Sequence, residues 1–303
     1  MLVNMTNFEI ILFYKYVLIE NPAELMLHQK ELQQRLGLKG RTIIATEGIN
    51  ATLEGTTEAI DEYLKDYLAD PRFSDTHIKR GSGTGQAFPR TSVKVRSEIV
   101  ALGLDKSCDI DPNQVTGKRL APEDLHQWIG EGRELYIVDM RNAYEHLVGY
   151  FEGSILPPMT NFRDLPKFVD SISHLKDKTV VTVCTGGVRC EKASGYLVSQ
   201  GFSDVYQLDG GIVSYMEKFP NEDFLGKLYV FDNRIAIGFF TDDPKHRVVG
   251  KCVFCKESSE RYTNCLVNDC NRKFIACEDC QQKLGENFIC PAELGCKEKT
   301  RVS

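Results

Sequence analysis

Residues 180–201 read VVTVCTGGVRCEKASGYLVSQG. An apolar, β-branched run ends in Cys184, Gly186 and Gly187 follow, and then come Arg189, Cys190 and a helix-like segment. The spacing puts a thiol at the tip of a strand and the mouth of a helix. Glycine admits positive φ, so the backbone N–H groups of Thr185, Gly186, Gly187, Val188 and Arg189 can turn inward around the sulfur. The helix presents its positive end there, and the Arg189 guanidinium can fold back over the same point. Each feature favours thiolate over thiol and stabilises an anion held there. Cys184 and Arg189 are therefore the candidate catalytic residues, and residues 185–189 the candidate cradle for an anion or persulfide. The plain alternative is a buried cysteine after a core strand; the coincidence of glycine turn, arginine and helix start favours chemistry. Cys190 has two open readings, a thiol that resolves an oxidised Cys184 or simply the start of the helix. Glu191 and Lys192 either orient the helix mouth or are solvated surface, and the surface reading is the better supported.

Eight of the eleven cysteines fall in residues 251–303, as Cys252-x2-Cys255, Cys265-x4-Cys270, Cys277-x2-Cys280 and Cys290-x5-Cys296. Short paired spacings let two thiolates bind one tetrahedral ion, so four pairs make two zinc sites of four thiolates each. Sequential and interleaved pairings are both open. The rival reading is reduced free thiols, or disulfides formed after purification. No histidine accompanies these cysteines, which argues against a catalytic zinc with an open position. Cys108 stands alone and reads as incidental.

The chain has 303 residues, 42% hydrophobic and 26% charged, the composition of a soluble globular protein with two or three domains. It has no apolar run of membrane-spanning length, and its first residues lack a basic region and a cleavage site, so a cytoplasmic location without membrane contact is expected. In a reducing compartment, cysteines serve metal binding or thiol chemistry rather than a disulfide framework. The net charge of −6 argues against a nucleic-acid binder. Charge is uneven, however: between Thr76 and Ser97 stand Lys79, Arg80, Arg90, Lys94 and Arg96 with no acid. These five are candidate RNA contacts, or else a solvated strand face.

Residues 1–97 predict an α/β unit. Phe8–Val17 reads as a buried strand, and Asn21-Pro22-Ala23-Glu24 as a helix start with its cap, its first-turn proline and its acid. That helix runs to Leu36 and stops at Gly37. Strands follow near Arg41–Thr46 and Ala51–Leu53, a helix near Glu58–Leu68, and extended segments near Asp75–Lys79 and Ser92–Val95. The order βαββαβ predicts a ferredoxin-like domain. The glycine-rich loop 81–90 is expected to be mobile; it is no phosphate loop, since no GK[ST] follows. Residues 98–118 read as a linker. Residues 119–224 alternate strands (Leu135–Asp139, Thr179–Val183) with helices (Pro122–Glu131, Asn161–Leu175, Cys190–Gln200), which predicts a parallel sheet covered by helices. Residues 225–250 read as a connecting segment in which 226-GKLYVFDNRIAIGFF-240 is strand-like, and 251–303 as a small tail that needs a metal or other staple.

The loop 184-CTGGVR-189 resembles the active-site loop of rhodanese domains, with four residues between cysteine and arginine. Around it, 138-VDMRNAYEHLVGYFEGSILPP-158 resembles the rhodanese D-x-R motif, with Asp139, Arg141 and Glu145 in place and Tyr150 where a histidine is usual. The segment 206-YQLDGGIVSY-215 resembles the close of that domain. Phosphatases of related fold carry a loop one residue longer, and that spacing lands on Cys190, so sulfur chemistry is favoured over phosphate hydrolysis. Along the whole chain, 13-FYKY-16, 45-ATEGINATLEG-55, 93-VKVRSEIVALG-103, 139-DMRNAYE-145 and 184-CTGGVRCEKAS-194 resemble, in order, the bacterial rhodanese-related TrhO (YceA) family of oxygen-dependent tRNA uridine(34) hydroxylases. The resemblance implies hydroxylation of the wobble uridine in the tRNA anticodon loop to 5-hydroxyuridine, O2 as co-substrate, and Cys184 as the essential cysteine. No flavin, haem or nonhaem iron motif is evident for the redox step, and zinc in the tail is the one metal the sequence suggests. The alternative is a sulfurtransferase that takes sulfane sulfur from thiosulfate or a donor protein's persulfide. A third reading, a non-enzymatic binding module, has no use for an intact Cys184 and Arg189. Phe88 and Tyr144 could stack on bases, though packing suits each better. The oligomeric state stays open.

Overall fold

The computed structural model describes residues 7–105, 110–267, 270, 272–285, 288–294 and 296; Cys108 lies outside them. The N-terminal elements are β1 (Phe8–Tyr16), α1 (Pro22–Arg35), β2 (Lys39–Ala45), β3 (Gly48–Thr56), α2 (Thr57–Ala69), β4 (Lys79–Ser82) and β5 (Thr91–Val95). The sheet order is β4-β1-β3-β2-β5, the ferredoxin-like arrangement with β5 added as an edge strand parallel to β2. Alternation in β1 and β3 sends Ile11, Phe13, Ala51 and Leu53 to one side, where Ile60, Tyr63 and Tyr67 of α2 complete the core. Asn21 caps α1 by accepting from the Glu24 N–H, and Gly37 ends it at φ +67°.

Two expectations change here. The strand expected near Asp75–Lys79 begins only at Lys79, because the chain turns over 71–75 to stack Phe73 on Tyr67 at 4.7 Å. The loop expected to be mobile is tied down. Buried Glu54 accepts from the Thr84, Gly85 and Ala87 N–H groups, each at 2.8 Å. A carboxylate cut off from water finds its solvation in those three amides.

The central elements are β6 (Lys118–Leu120), α3 (Pro122–Gly130), β7 (Tyr136–Asp139), β8 (Gly149–Phe151), α4 (Leu165–Val169), β9 (Thr179–Val183), α5 (Val188–Ser199), β10 (Asp204–Leu208) and α6 (Gly211–Lys218). Their sheet has the order β6-β10-β9-β7, with β9 parallel to both β10 and β7. The helix expected over Asn161–Leu175 is reduced to α4 between two 3-10 turns. Pro166, at the second position of α4, has no N–H to continue an α-helical ladder from before it.

Beyond α6 come β11 (Phe224–Gly226), β12 (Leu228–Tyr229), β13 (Ala236–Ile237), β14 (Tyr262–Asn264), β15 (Lys273–Ile275) and α7 (Glu278–Leu284). The strand-like run at 226–240 is thus broken. β11 pairs with β8, and a turn through Asp232-Asn233 folds β13 back on β12. The tail packs on residues 143–148 and on β12: Val148, Tyr229, Tyr262 and Ile275 form one apolar cluster, and the Tyr262 hydroxyl donates to the Tyr144 carbonyl.

The chain divides into two compact units. One holds residues up to 118 with 188–202 and 232–234; the other holds 119–187, 203–231 and 235–303. α5 therefore groups with the N-terminal sheet. Residues 98–118, read as a linker, contribute the buried side chains Ile99, Leu102 and Ile110.

Glu54→Gln removes the charge that binds three amides. The expected result is faster hydrogen exchange at Thr84, Gly85 and Ala87 and a loss of about 2 kcal/mol in denaturant unfolding.

Candidate active site

Cys184 follows the last residue of β9 and is fully buried, with the Gly187 N–H directed at its sulfur at 3.2 Å. This is the inward-turned amide that the Gly-Gly spacing predicts, and Gly187 reaches it at φ +104°. The loop is held from behind by the start of α6. The Ile212 N–H donates to the Cys184 carbonyl at 2.9 Å, and the Val213 N–H to the Thr185 carbonyl at 3.1 Å. The approach is so close that a Cβ on Gly211 would lie 2.7 Å from both the Cys184 carbonyl oxygen and the Gly187 nitrogen. Gly211 also sits at φ +68°, so both space and backbone conformation call for glycine.

The D-x-R motif begins at the end of β7 in the same sheet, with Asp139 opposite Val183 of β9. Asp139 and Arg141 are fully buried and form a forked pair, with Arg141 Nη2 to Asp139 Oδ2 at 2.6 Å and Nε to both carboxylate oxygens. Nη2 also donates to the Gly149 carbonyl at 2.8 Å. Burial alone would raise the Asp139 pKa, but Arg141 and His146 hold it well below the usual carboxylate range. Glu145 accepts from the Asn142 N–H at 2.9 Å, closing a capping box over residues 142–145. These residues lock a turn. Tyr150 pairs opposite Leu225 in β8–β11. Tyr144 and Phe88 are packing residues: Tyr144 stands edge-on to Tyr229 at 5.3 Å, and buried Phe88 packs with Ile10 and Ala87.

α5 begins at Val188, so Arg189 and Cys190 occupy its first turn, and both are buried. Neither Cys184 nor Cys190 is in a disulfide. Glu191 and Lys192, expected on the surface, are buried instead, at 3% and 0% exposure. The reason lies in partners that sequence spacing could not reveal. Lys192 Nζ sits 2.7 Å from Glu47 Oε2 and 2.7 Å from Glu98 Oε2. Glu191 accepts from the Tyr14 hydroxyl at 3.0 Å and the Thr116 hydroxyl at 3.2 Å, and the Tyr16 hydroxyl donates to the Val188 carbonyl at 3.2 Å. Burial works to lower the Lys192 pKa, but the two glutamates raise it. Burial raises Glu47, whereas at Glu98 the ammonium and the Leu102 and Gly103 N–H groups prevail and lower it. Glu47, Glu98, Tyr14 and Tyr16 come from three of the five motifs that carry the family resemblance, and they converge on the last of them, residues 184–194.

The basic stretch is divided by strand alternation. Arg80 turns to the helical side, where it pairs with Glu9 at 2.6 Å and Asp61 at 2.8 Å. Lys79 and Lys94 face the other side of the sheet, Arg90 is exposed just before β5, and Arg96 donates to the Val95 carbonyl at 2.9 Å.

In the tail the pairs interleave. Cys252, Cys255, Cys277 and Cys280 form one group, and Cys265, Cys270, Cys290 and Cys296 the other, with the sulfur atoms of each group within 4.8 Å of one another. Across pairs, Cys255 and Cys277 sulfurs are 3.6 Å apart, Cys265 and Cys296 3.8 Å, and Cys270 and Cys290 3.7 Å. A tetrahedron with metal–sulfur bonds of about 2.3 Å has edges of about 3.8 Å, so each group could bind a metal ion. The proton balance points the same way. Although burial raises it, Cys252 is drawn down to about 6 by the N–H groups of Cys255, Cys277 and Phe254. Burial and neighbouring thiols push Cys280 up to about 12. Without a cation the four cannot all ionise together.

Lys192→Met strands two carboxylates beside an apolar chain and is expected to cost about 3–5 kcal/mol. Adding Glu47→Gln and Glu98→Gln should recover part of the loss in urea unfolding. Gly211→Ala is expected to cost about 1–3 kcal/mol and to slow alkylation of Cys184 by displacing its carbonyl.

Family models match along the chain: a UPF0176 acylphosphatase-like domain over residues 8–99, a rhodanese-like domain over 121–218 and a rhodanese C-terminal domain over 225–297. Among curated relatives, the tRNA uridine(34) hydroxylase of Bacillus licheniformis is 42% identical over 90% of this chain and 84% of its own length. That of Enterococcus faecalis is 40% identical over 91% and 87%, and that of Bacillus cereus 39% over 98% and 90%. Among solved structures, a rhodanese-like domain protein from Staphylococcus aureus is 27% identical over 32% of this chain and 90% of its own, with a TM-score of 0.28. With identities near 40% sustained from the N-terminal sheet into the cysteine-rich tail, the chain belongs to the tRNA uridine(34) hydroxylase family.

Proposed function

We propose that this protein hydroxylates C5 of the wobble uridine of tRNA, with Cys184 as the reacting sulfur and O2 as co-substrate. The observation that carries the reading is the buried Cys184 sulfur facing the Gly187 amide, in a chain whose relatives bear that activity in their names. A sulfur so enclosed reacts with a base that has left its stack, and a uridine in an anticodon loop is single-stranded and can be splayed out.

The chemistry balances as follows. The Cys184 thiolate adds to C6 of uracil, and the electron pair moves to C5. C5 takes up O2 and a proton to give a hydroperoxide. Two thiol equivalents reduce it, breaking the O–O bond and leaving an alcohol at C5, one water and one disulfide. Loss of the C5 proton and of the sulfur from C6 restores the double bond. Cys190, in the first turn of α5, is the candidate for one of those thiols. Arg189 and the amides of 185–188 are assigned to stabilising the thiolate. Among the described residues no helix is long and apolar enough to cross a membrane, which agrees with action on cytoplasmic tRNA.

Each tail group is assigned a structural Zn2+. The interleaved thiolates suit a closed tetrahedral site, which stabilises the fold and leaves no position for substrate. Metal analysis of the purified protein should give two zinc ions per chain. Cys255→Ser and Cys277→Ser should each lose the same one of them, whereas sequential pairing would assign the two residues to different ions.

A second reading, sulfur transfer from thiosulfate or a donor protein's persulfide, is favoured by the rhodanese-like domain match over 121–218. Nucleoside mass spectrometry separates the two. In a deletion strain 5-hydroxyuridine derivatives should vanish, returning with the wild-type gene and not with Cys184→Ala. Full restoration by Cys184→Ala would end the thiolate mechanism. Unchanged nucleosides in every strain, with cyanide-dependent turnover of thiosulfate, would establish the sulfurtransferase.

A further inference from the structure

The N-terminal sheet has two sides. α1 and α2 cover one, and register fixes what lies on the other. Opposite residues in a ladder share a side. The pairs Leu12–Lys79, Leu12–Thr52, Arg41–Thr52, Lys39–Glu54 and Ile43–Lys94 therefore place Lys79, Arg41, Lys39 and Lys94 together, with Leu12 and Thr52 between them. With strands about 4.8 Å apart, the patch from β4 to β5 is roughly 19 Å across.

Its charge is not cancelled locally. Lys39, Arg41 and Lys94 are exposed and have no ion-pair partner among the described residues. Among strand residues the one acid on this side is Glu54. Its buried carboxylate is already taken by the Thr84, Gly85 and Ala87 amides, so its hydrogen-bonding capacity is spent on the 81–90 loop rather than on the cations. Arg80, in the middle of the basic stretch, is on the opposite side and already doubly paired.

Sheets of this topology bind RNA either by stacking bases on strand aromatics or by holding phosphates. Stacking is closed here. The aromatics of β1 on this side are Phe8, Tyr14 and Tyr16. The two hydroxyls are committed to Glu191 and the Val188 carbonyl of α5, and the Phe8 ring lies against Gly85 of the loop that Glu54 holds. What stays open is cationic and aliphatic, the chemistry of a surface that grips a polyanion without reading its sequence.

We propose that this side of the sheet, centred on Arg41 and Lys94, holds the phosphate backbone of the substrate tRNA. The proposal rests on the tRNA reading above and adds the surface that bears the RNA. Arg41 lies outside the basic stretch evident in the sequence and enters through the β2–β5 pairing.

The test is tRNA binding by the full-length protein over a salt series, measured by fluorescence anisotropy with two unmodified tRNAs of different sequence. Arg41→Gln/Lys94→Gln keeps much of both aliphatic stems and removes two charges. Expected is a fall of about 2 in the slope of log K against log salt, and binding about tenfold weaker at low salt for both tRNAs alike. The control Lys30→Ala/Lys65→Ala removes two exposed charges from α1 and α2 and should bind as wild type. Wild-type affinity and slope in the Arg41/Lys94 variant would overturn the surface and leave the tRNA reading standing. An equal loss in the control would overturn it in favour of net charge. Retained tRNA binding with a changed oligomer mass would give the face to a second copy of the chain. A wild-type protein that binds no tRNA at any salt would overturn both the surface and the tRNA reading.

Discussion

A lysine with no exposed surface sets the terms for the first turns of α5. Lys192 cannot be ionised there without its two carboxylates, and Glu47 and Glu98 come from separate turns of the N-terminal sheet. A buried cation with well-placed partners contributes little net stability compared with an apolar packing, but it penalises any other arrangement heavily. Glu191 extends the same logic through Tyr14 and Thr116. The helix that follows the Cys184 loop is thus fixed by polar contacts that tolerate small errors of register poorly. Apolar contacts alone would let it slide.

The loop itself is fixed by different means. Residues 184–185 hand their carbonyls to the first amides of α6, and the absent side chain of Gly211 lets the two backbones touch. At the end of β7, Arg141 donates a forked pair of hydrogen bonds to Asp139, both side chains being shielded from solvent. Rigid backbone around a single sulfur is what preorganised chemistry requires: the amide that meets a developing charge is in place before that charge appears.

Much of this was legible in the sequence, and the reasons differ by element. The Cys184 loop was legible because strand, glycine turn and helix start are local signals. The eight tail cysteines were legible as ligands because their spacings are short, yet their interleaving was not, because pairing belongs to the tertiary fold. The burial of Glu191 and Lys192 was hidden for the same reason: two adjacent charged residues read as surface until partners dozens of residues away are known. The loop at 81–90 looked mobile from its glycines, and only the position of Glu54 beside it says otherwise. Strand alternation in β4 and β5 likewise separates Arg80 from Lys94, which composition alone had grouped together.

The interleaved cysteine groups bear on the order in which the tail can be made. The first four-sulfur group is incomplete until Cys280 is in place, and by then Cys265 and Cys270 of the second group are already present without their partners. A ribosome emitting the tail therefore releases first one pair and then two pairs of thiols before either set of four seen in the fold is complete. During that interval the wrong quartet, built from the first two pairs, is the one available. A metal captured early would have to be surrendered and rebound, so correct assembly favours an ion delivered late or exchanged readily.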